Sequence, residues 1–112
     1  MATVLVLPEA LAERKMLPPA EQVALDRAFD KLRSTGVTLP FPHQSQIKGA
    51  QDLRELRPRA GRSRWRAFYR RMGQDTFVVA ALGPEAAVDP AGFRRAVAAA
   101  EVRLTALEGD SS

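Results

Sequence analysis

The segment that decides the fold is RWRAFYRRM, residues 64–72. Successive residues of a β-strand point to opposite faces of a sheet, so this segment has two different sides. One side carries Trp65, Ala67 and Tyr69, and the other carries Arg64, Arg66, Phe68 and Arg70. We expect the first side to pack against a layer of helices and the second to gather arginines into a ligand-binding face.

Two further strands are expected next to this segment, at residues 52–58 and 76–82. The connections at residues 59–63 and 73–75 contain glycine and polar residues that are typical of turns, which predicts an antiparallel meander of three strands. The last strand, TFVVAAL, is apolar on both faces. We therefore predict that it lies in the centre of the sheet and is covered on both sides.

The sequence of residues 3–36, before the meander, predicts a strand and two helices. A β-branched run at residues 3–7, closed by Pro8, indicates a strand at the edge of the sheet. A short helix is predicted at residues 9–16. A second, better marked helix begins at Pro19 and ends at Gly36, where glycine supplies the cap. The two helices are expected to form a hairpin.

Residues 37–46 show neither helical nor strand periodicity and predict an extended loop. At the other end of the chain, Asp89 followed by Pro90 is a typical helix start, and an apolar stripe continues to Leu107. The predicted order is an N-terminal strand, a helical hairpin, a three-stranded antiparallel meander and a C-terminal helix. This order defines a compact α+β sandwich.

The length of 112 residues predicts a single domain at residues 1–108, followed by a frayed tail at residues 109–112. The chain has no cysteine, which excludes disulfides, thiolate metal sites and cysteine nucleophiles. No stretch approaches the roughly 20 apolar residues of a membrane span, and we expect a cytoplasmic protein without a membrane partner. The basic region has no histidine pair and no carboxylate pair at helical spacing, so we predict neither a metal nor another cofactor.

The charge of the chain is unevenly distributed. Residues 48–71 contain nine basic and two acidic side chains, a net charge of +7, whereas the rest of the chain has eight basic and eleven acidic side chains. Fourteen of the 17 basic residues are arginine, whose planar guanidinium pairs with phosphate through two hydrogen bonds. This pattern predicts that an anionic ligand binds the middle of the chain.

Five arginines are expected on one face of the sheet, namely Arg57, Arg59, Arg64, Arg66 and Arg70. Glu55 is the one acid expected among them, and like charges on neighbouring strands repel each other. An interleaved Phe68 could stack on a base, which favours single-stranded RNA as the ligand. The alternative is a solvated face whose arginines pair with the protein's own acids. The RNA hypothesis therefore requires Arg57 and Arg66 to converge without being locked in such ion pairs.

The segment LRELRPRAGRSRWRAFY, residues 53–69, resembles the RelE/HigB-like toxins of bacterial type II toxin–antitoxin systems, in the branch of phage-derived Gp49-like proteins. The likeness also includes the helical hairpin, the Lys48-Gly49 pair before the sheet, the apolar strand and the C-terminal helix. The resemblance implies a RelE-like sandwich and metal-independent cleavage of messenger RNA, usually on the ribosome. It also implies a cognate antitoxin, often with a helix-turn-helix, that silences the toxin.

The resemblance also implies roles for individual residues. Arg57 and Arg66 match the sheet arginines that bind phosphate in the family, while Lys48 and Arg62 match basic positions at the rim of the site. The strand alternation, without the resemblance, adds four RNA-binding candidates, which are Arg59, Arg64, Phe68 and Arg70.

The chain departs from the family after the last strand, where Gly83-Pro84-Glu85 replaces a basic or histidine-containing stretch and no late catalytic tyrosine or histidine follows. Cleavage needs a base for the 2′-hydroxyl and a proton donor for the leaving oxygen, which arginines do not supply. The candidates for proton transfer are Glu85, Glu55, Tyr69 and His43, of which we expect Tyr69 to be structural.

Two alternatives to a ribonuclease toxin stay open at this point. The first is a non-catalytic RNA-binding module of the same fold, which the missing late-chain residues favour. The second is a protein-interaction module whose basic face receives an acidic segment of an antitoxin.

Overall fold

The structure, a computed structural model, describes residues 1–111. In chain order the elements are β1 (Thr3–Val6), α1 (Pro8–Lys15), α2 (Pro19–Thr35), β2 (Gln44–Gln46), β3 (Arg54–Leu56), β4 (Trp65–Arg71), β5 (Thr76–Pro84) and α3 (Pro90–Ser111). Short 3₁₀ turns follow α2 and β3, at Gly36–Thr38 and Pro58–Gly61. The predicted α+β fold is confirmed.

The strands form one five-stranded sheet in the order β1-β5-β4-β3-β2. The meander of β3, β4 and β5 is antiparallel, and β1 lies at the edge, parallel to β5. The prediction of a loop throughout residues 37–46 is wrong, because Gln44–Gln46 pairs with β3 as the second edge strand. The short polar sequence of β2 carries no strand signal of its own, and its pairing depends on β3.

Helices cover both faces of the sheet and create two hydrophobic cores. On one face, α1 and α2 pack against Leu56, Ala67 and Tyr69, with Trp65 at the margin, as the strand alternation predicts. On the other face, α3 packs against β5 and β4. This second core includes Phe68, Val78, Ala80, Ala96, Ala100 and Leu104.

The prediction that one face of β4 forms an open basic surface is wrong for the middle of the strand. Phe68 is fully buried beneath α3, with its ring 5.4 Å from that of Phe93 in an edge-to-face contact. Gly83 allows the helix to come this close, because a Cβ at position 83 would clash with the Cβ of Ala96. Phe68 is therefore a core residue, and the expected stacking of this ring on a base does not fit its position.

The ends of the longer helices agree with their sequence signals. Gly36 adopts a left-handed conformation with φ of 62° and its N–H donates to the Leu32 carbonyl, which closes α2. Asp89 caps α3 by accepting a hydrogen bond of 2.9 Å from the Gly92 N–H. The helix continues to Ser111, within the tail expected at residues 109–112, of which residue 112 lies outside the described residues. Among the helices of residues 1–111, none is long and apolar enough to cross a membrane.

Candidate active site

An open groove lies where the ends of β3, β4 and β5 meet the chain after β2, and we call it the Glu85 groove after one of its lining residues. It has a volume of about 520 Å³, within the range of about 300–1,000 Å³ that is usual for ligand sites. Its charged lining residues are Lys48, Glu55, Arg57, Arg66 and Glu85. The groove thus combines three cations with two carboxylates.

Arg66 lies at the base of the Glu85 groove, with 2% of its side chain exposed. One terminal nitrogen, Nη1, donates to the carbonyls of Ser63 and Trp65 at 2.6 and 3.0 Å. The other, Nη2, donates to the Gly61 carbonyl at 3.3 Å and to Oε2 of Glu85 at 2.6 Å. Both terminal nitrogens are therefore committed to partners within the protein.

Glu55 connects the two arginines of the site. Its Oε1 accepts hydrogen bonds from Nη1 of Arg57 at 2.9 Å and from the Ser45 hydroxyl at 3.0 Å. The same oxygen lies 3.8 Å from Nε of Arg66, a buried nitrogen without a hydrogen-bond partner among the described residues. Burial lowers the pKa of Arg66, and the positive charge of Arg57 lowers it further, whereas Glu55 and Glu85 oppose that change.

Arg57 is the more accessible arginine, with 22% of its side chain exposed. Its Nε donates to the Pro42 carbonyl at 3.0 Å, and its guanidinium carbon lies 5.4 Å from the centre of the Phe41 ring. Gly61 leaves room for it, because a Cβ at position 61 would lie 2.6 Å from Nη2 of Arg57. Within the described residues, Nη2 makes no hydrogen bond and is available to a ligand.

The structure thus brings the four predicted catalytic residues into one place, yet it pairs both arginines with the protein's own carboxylates. The expectation of free, converging arginines is wrong, because Arg57 is paired with Glu55 and Arg66 is paired with Glu85 and covered within the protein. The RNA hypothesis in the form that required two free arginines is therefore overturned. Arg66 can hold Glu85 in place but cannot reach a phosphate in this conformation. Arg57 keeps one donor for a ligand, and Glu85 presents a carboxylate with 27% of its side chain exposed.

The predicted RNA-binding residues are more dispersed. Lys48 is exposed at the edge of the Glu85 groove. Arg59 and Arg62 lie instead in a second groove beside α2, and exposed Arg64 lines a third near the start of α3. Arg70 is a structural residue, because it donates to Oε1 of Glu108 and to the Gln51 carbonyl and so attaches the end of α3.

The turn Pro58–Gly61 that carries Arg59 has an unusual backbone. Arg59 and Ala60 both adopt left-handed conformations, with φ of 56° and 55°, which costs energy in residues with a Cβ. Arg59 reaches Oε2 of Glu21 on α2 at 2.7 Å, and the Ser63 hydroxyl donates to Oε1 of Glu21 at 2.7 Å. These two contacts, with Ser63 as the larger cause, lower the pKa of Glu21 and hold the turn against the helix.

Tyr69 and His43 do not join the carboxylates of the site. Tyr69 lies on the opposite face of the sheet, beneath the helical hairpin, with its ring 5.8 Å from that of Phe77. Burial raises the pKa of Tyr69 to about 12, so its phenol stays protonated at neutral pH. His43 lines the second groove, next to Arg57. Among the side chains that the structure describes, those of residues 1–109, no group of three or more could hold a metal ion.

Sequence reasoning missed two serines that hold the charged residues. Ser45 donates to Glu55 across the β2–β3 pair, directly opposite it in the register. Ser63 binds Glu21 through its hydroxyl and Arg66 through its carbonyl. The signal for Ser45 would have been its alternation with Gln44 and Gln46, which is too short to identify a strand.

Comparison with known proteins agrees with this architecture. The chain belongs to the family described as phage-derived Gp49-like protein (DUF891), whose sequence model matches residues 12–83. Its fold is that of the RelE toxin, as the resemblance implied. The isolated Escherichia coli RelE toxin superposes with a TM-score of 0.59 and 15% identity, covering 85% of this chain and 98% of that one.

A chain of the intact Escherichia coli RelBE toxin–antitoxin complex superposes with a TM-score of 0.58 and 14% identity, covering 76% of this chain and 98% of that chain. No curated protein matches the sequence. At these identities the comparison defines the fold, and the chemistry of the site has to be argued from its own residues.

Proposed function

We propose that this protein is the toxin of a toxin–antitoxin pair and that it cleaves messenger RNA in the Glu85 groove, where Nη2 of Arg57, rather than two free arginines, contacts the phosphate. Cleavage is to be measured with and without ribosomes. Membership of the Gp49-like family and the RelE fold support the toxin role. The antitoxin of the RelBE complex is the precedent for a cognate antitoxin, which we propose carries a helix-turn-helix. The cytoplasm, where messenger RNA is translated, is the proposed place of action, and residues 1–108 are the proposed toxin domain.

The observation that carries the proposal is the arrangement of two carboxylates and one accessible arginine around an open groove. Glu85 and Glu55 lie on either side of the buried Arg66, at 2.6 and 3.8 Å from its nitrogens. Arg57 faces the same groove with a free donor. Cleavage by an internal nucleophile needs groups that move protons and a cation for the charge on phosphorus, and this set contains both.

In the proposed reaction, the 2′-hydroxyl of a bound nucleotide attacks the adjacent phosphorus, and the bond from phosphorus to the 5′-oxygen breaks. Glu85 accepts the proton of the hydroxyl, and water in the open groove supplies one to the leaving oxygen. Arg57 stabilises the charge on the phosphorane, and Lys48 contacts the RNA backbone. Arg66 acts through Glu85 as a positioning residue. The products are a 2′,3′-cyclic phosphate and a 5′-hydroxyl.

The first test is growth after induced expression of the protein without an antitoxin. We expect arrest with the wild type and normal growth with Arg57→Ala or Glu85→Gln, at equal levels of soluble, folded protein. Arg94→Ala is the matched control, because Arg94 is an exposed arginine of α3 outside the groove and should leave arrest intact. Normal growth with soluble wild-type protein would contradict the toxin role.

The second test is RNA cleavage by the purified protein, with and without ribosomes and in the presence of EDTA. We expect Glu85→Gln and Arg57→Ala each to lower the rate by about 100-fold or more, since each removes a catalytic group. Cyclic-phosphate ends in the products identify the nucleophile. Unchanged cleavage by both variants would place the reaction elsewhere.

A non-catalytic RNA-binding module is the second candidate, and the internal pairing of Arg66 is the observation that favours it. Such a protein would bind RNA with a steep dependence on salt and leave it intact. The cleavage assay separates the two functions, because only a ribonuclease generates new ends.

A further inference from the structure

Phe41 is an exposed aromatic ring next to Arg57 of the Glu85 groove. It leaves 69% of its surface in water, and among the described residues it is the one aromatic side chain in the set of exposed large apolar residues. Single exposed aliphatic side chains are common on protein surfaces and need no explanation. The ring of Phe41 differs from them because it lies against the arginine that offers a donor to a ligand.

The turn that carries Phe41 is attached to Arg57 by hydrogen bonds. The Pro42 carbonyl accepts one from Nε of Arg57 at 3.0 Å, and the His43 carbonyl accepts one from the Arg57 backbone N–H at 2.8 Å. The His43 N–H closes the turn by donating to the Pro40 carbonyl at 3.0 Å. The backbone is thus held on both sides of the ring, so little further ordering is needed when a ligand binds there.

The guanidinium of Arg57 lies over the ring of Phe41. Its carbon is 5.4 Å from the ring centre, within the distance of about 6 Å at which the face of an aromatic ring attracts a cation. Nη2, which is bonded to this carbon, makes no hydrogen bond among the described residues. Charges along one strand of a DNA helix recur about every 3.4 Å, so a phosphate on Nη2 and a base on the ring can belong to the same nucleotide or to neighbours.

An aromatic face next to a guanidinium matches the two parts of a nucleotide. The guanidinium pairs with phosphate oxygens, and the ring stacks on a base that is not paired with a second strand. A phenyl ring has no hydrogen-bonding group, so stacking on it accepts every base. We propose that Phe41 is a binding residue for single-stranded RNA and stacks on a base adjacent to the phosphate that Arg57 holds. The inference rests on the proposed function and adds a subsite for a base to it.

The first experiment measures binding of a single-stranded RNA oligonucleotide with 2′-fluoro sugars, which lacks the attacking hydroxyl, by fluorescence anisotropy at fixed salt. Phe41→Ala should raise the Kd by about tenfold, because it removes one base–aromatic stack. Phe41→Trp should keep the affinity of the wild type, since an indole also stacks, whereas Phe41→Leu should lose as much as Phe41→Ala. Val37→Ala is the matched control, because Val37 is an exposed apolar residue outside the Glu85 groove, and it should change the Kd less than about twofold.

The second experiment identifies the partner of the ring. In a series of the same oligonucleotide, one nucleotide at a time lacks its base while every phosphate is kept. At one position, loss of the base should raise the Kd of the wild type about as much as Phe41→Ala does, and it should have little further effect in Phe41→Ala. A ring that only supported Arg57 would instead give losses that multiply at every position.

Several outcomes would overturn the inference. These are multiplying losses at every position, wild-type affinity in Phe41→Leu, and failure to bind the oligonucleotide. Unchanged affinity in Phe41→Ala would also overturn it and would leave the ring to another partner, such as a protein, even if the protein cleaves RNA as proposed. A protein that shows the expected coupling between Phe41 and one base, but neither cleaves RNA nor arrests growth, would instead contradict only the proposed function.

Discussion

The charge of Arg66 is enclosed by carbonyl and carboxylate oxygens, and this enclosure determines what the residue can do. Its terminal nitrogens make four hydrogen bonds, three of them to backbone carbonyls near the start of β4. The guanidinium of Arg66 therefore fixes the backbone at the start of β4 as well as the carboxylate of Glu85. Removing it would leave oxygen atoms without donors and Glu85 and Glu55 without their shared cation.

We therefore expect Arg66→Ala to lower the free energy of unfolding by about 3 kcal/mol, because it removes one partner of a buried ion pair. Arg57→Ala should cost about 1 kcal/mol, since Arg57 is partly exposed and its pair is partly screened by solvent. Chemical denaturation at neutral pH measures both values. Equal losses for the two variants would contradict the different roles that we assign to these arginines.

Single residues also show where sequence reasoning succeeds and where it fails. Strand alternation correctly places Tyr69 and Ala67 against the helical hairpin, because that pattern is a local property of β4. The pairing of Arg66 with Glu85 depends on the register between β4 and β5, in which Arg66 lies opposite Gly83. The burial of Phe68 depends on where α3 packs against the sheet. Neither fact is encoded near the residue concerned.

At the scale of elements, the turn Pro58–Gly61 lines the groove beside α2 and is held by α2 rather than by its own conformation. Two consecutive left-handed residues with side chains are unfavourable, so contacts elsewhere have to keep them in place. Glu21 provides these contacts through Ser63 and Arg59. The position of Arg59 and the shape of the groove beside α2 therefore depend on one carboxylate in the first turn of α2.

Glu21→Gln should lower the free energy of unfolding by about 1 kcal/mol at neutral pH, because it removes a charge that accepts two hydrogen bonds. The pKa of Glu21 is lowered in the folded protein, so its stabilisation is present above the usual value of 4.5 and is lost as the pH falls through the folded-state pKa. The difference in the free energy of unfolding between variant and wild type should therefore become smaller in acid. Chemical denaturation between pH 3 and pH 7, a range of about four units around the usual glutamate pKa, measures this difference.

Glu9→Gln is the matched control for this prediction. Glu9 is also an acidic residue in the first turn of its helix, α1, but it is exposed. It should change stability by less than about 0.5 kcal/mol at any pH in the series. A pH-independent loss for Glu21→Gln would mean that its charge does not hold the turn.

Helices and strands could be predicted where their own residues show a clear apolar pattern. The apolar run of β5 and the apolar stripe of α2 identify these elements without reference to the rest of the chain. The strand β2 lacks such a pattern, since its three polar residues become a strand by pairing with Arg54–Leu56. Ser45 and its hydrogen bond to Glu55 were missed for the same reason.

At the scale of the whole molecule, one polar contact joins both helical layers across the sheet. Glu13 of α1 accepts hydrogen bonds from the Leu82 N–H at 3.0 Å and from both terminal nitrogens of Arg103 on α3 at 3.1 Å. Arg103 also donates to the Ala80 carbonyl at 2.9 Å. Because β1 pairs with β5 only as far as Val79, these side chains bond backbone groups of β5 that lie beyond the neighbouring strand.

Glu13→Ala should lower the free energy of unfolding by about 2 kcal/mol, because it leaves the Leu82 N–H without an acceptor and the Arg103 guanidinium with the Ala80 carbonyl alone. Hydrogen exchange should speed up at Leu82 and at neighbouring amides of β5. Glu9→Ala, on the exposed side of the same helix, should leave exchange at Leu82 unchanged. Unaltered exchange in Glu13→Ala would show that this contact does not hold the two layers together.

The parallel pairing of the first strand with the last has a consequence for how the protein is made. The N-terminal strand has no neighbour in the sheet until Thr76–Val79 has been synthesised, and such long-range pairing slows folding. Glu85 is the first residue after β5 in the chain. Translation that stops before Thr76 therefore leaves a fragment with an incomplete sheet and without the proposed proton acceptor.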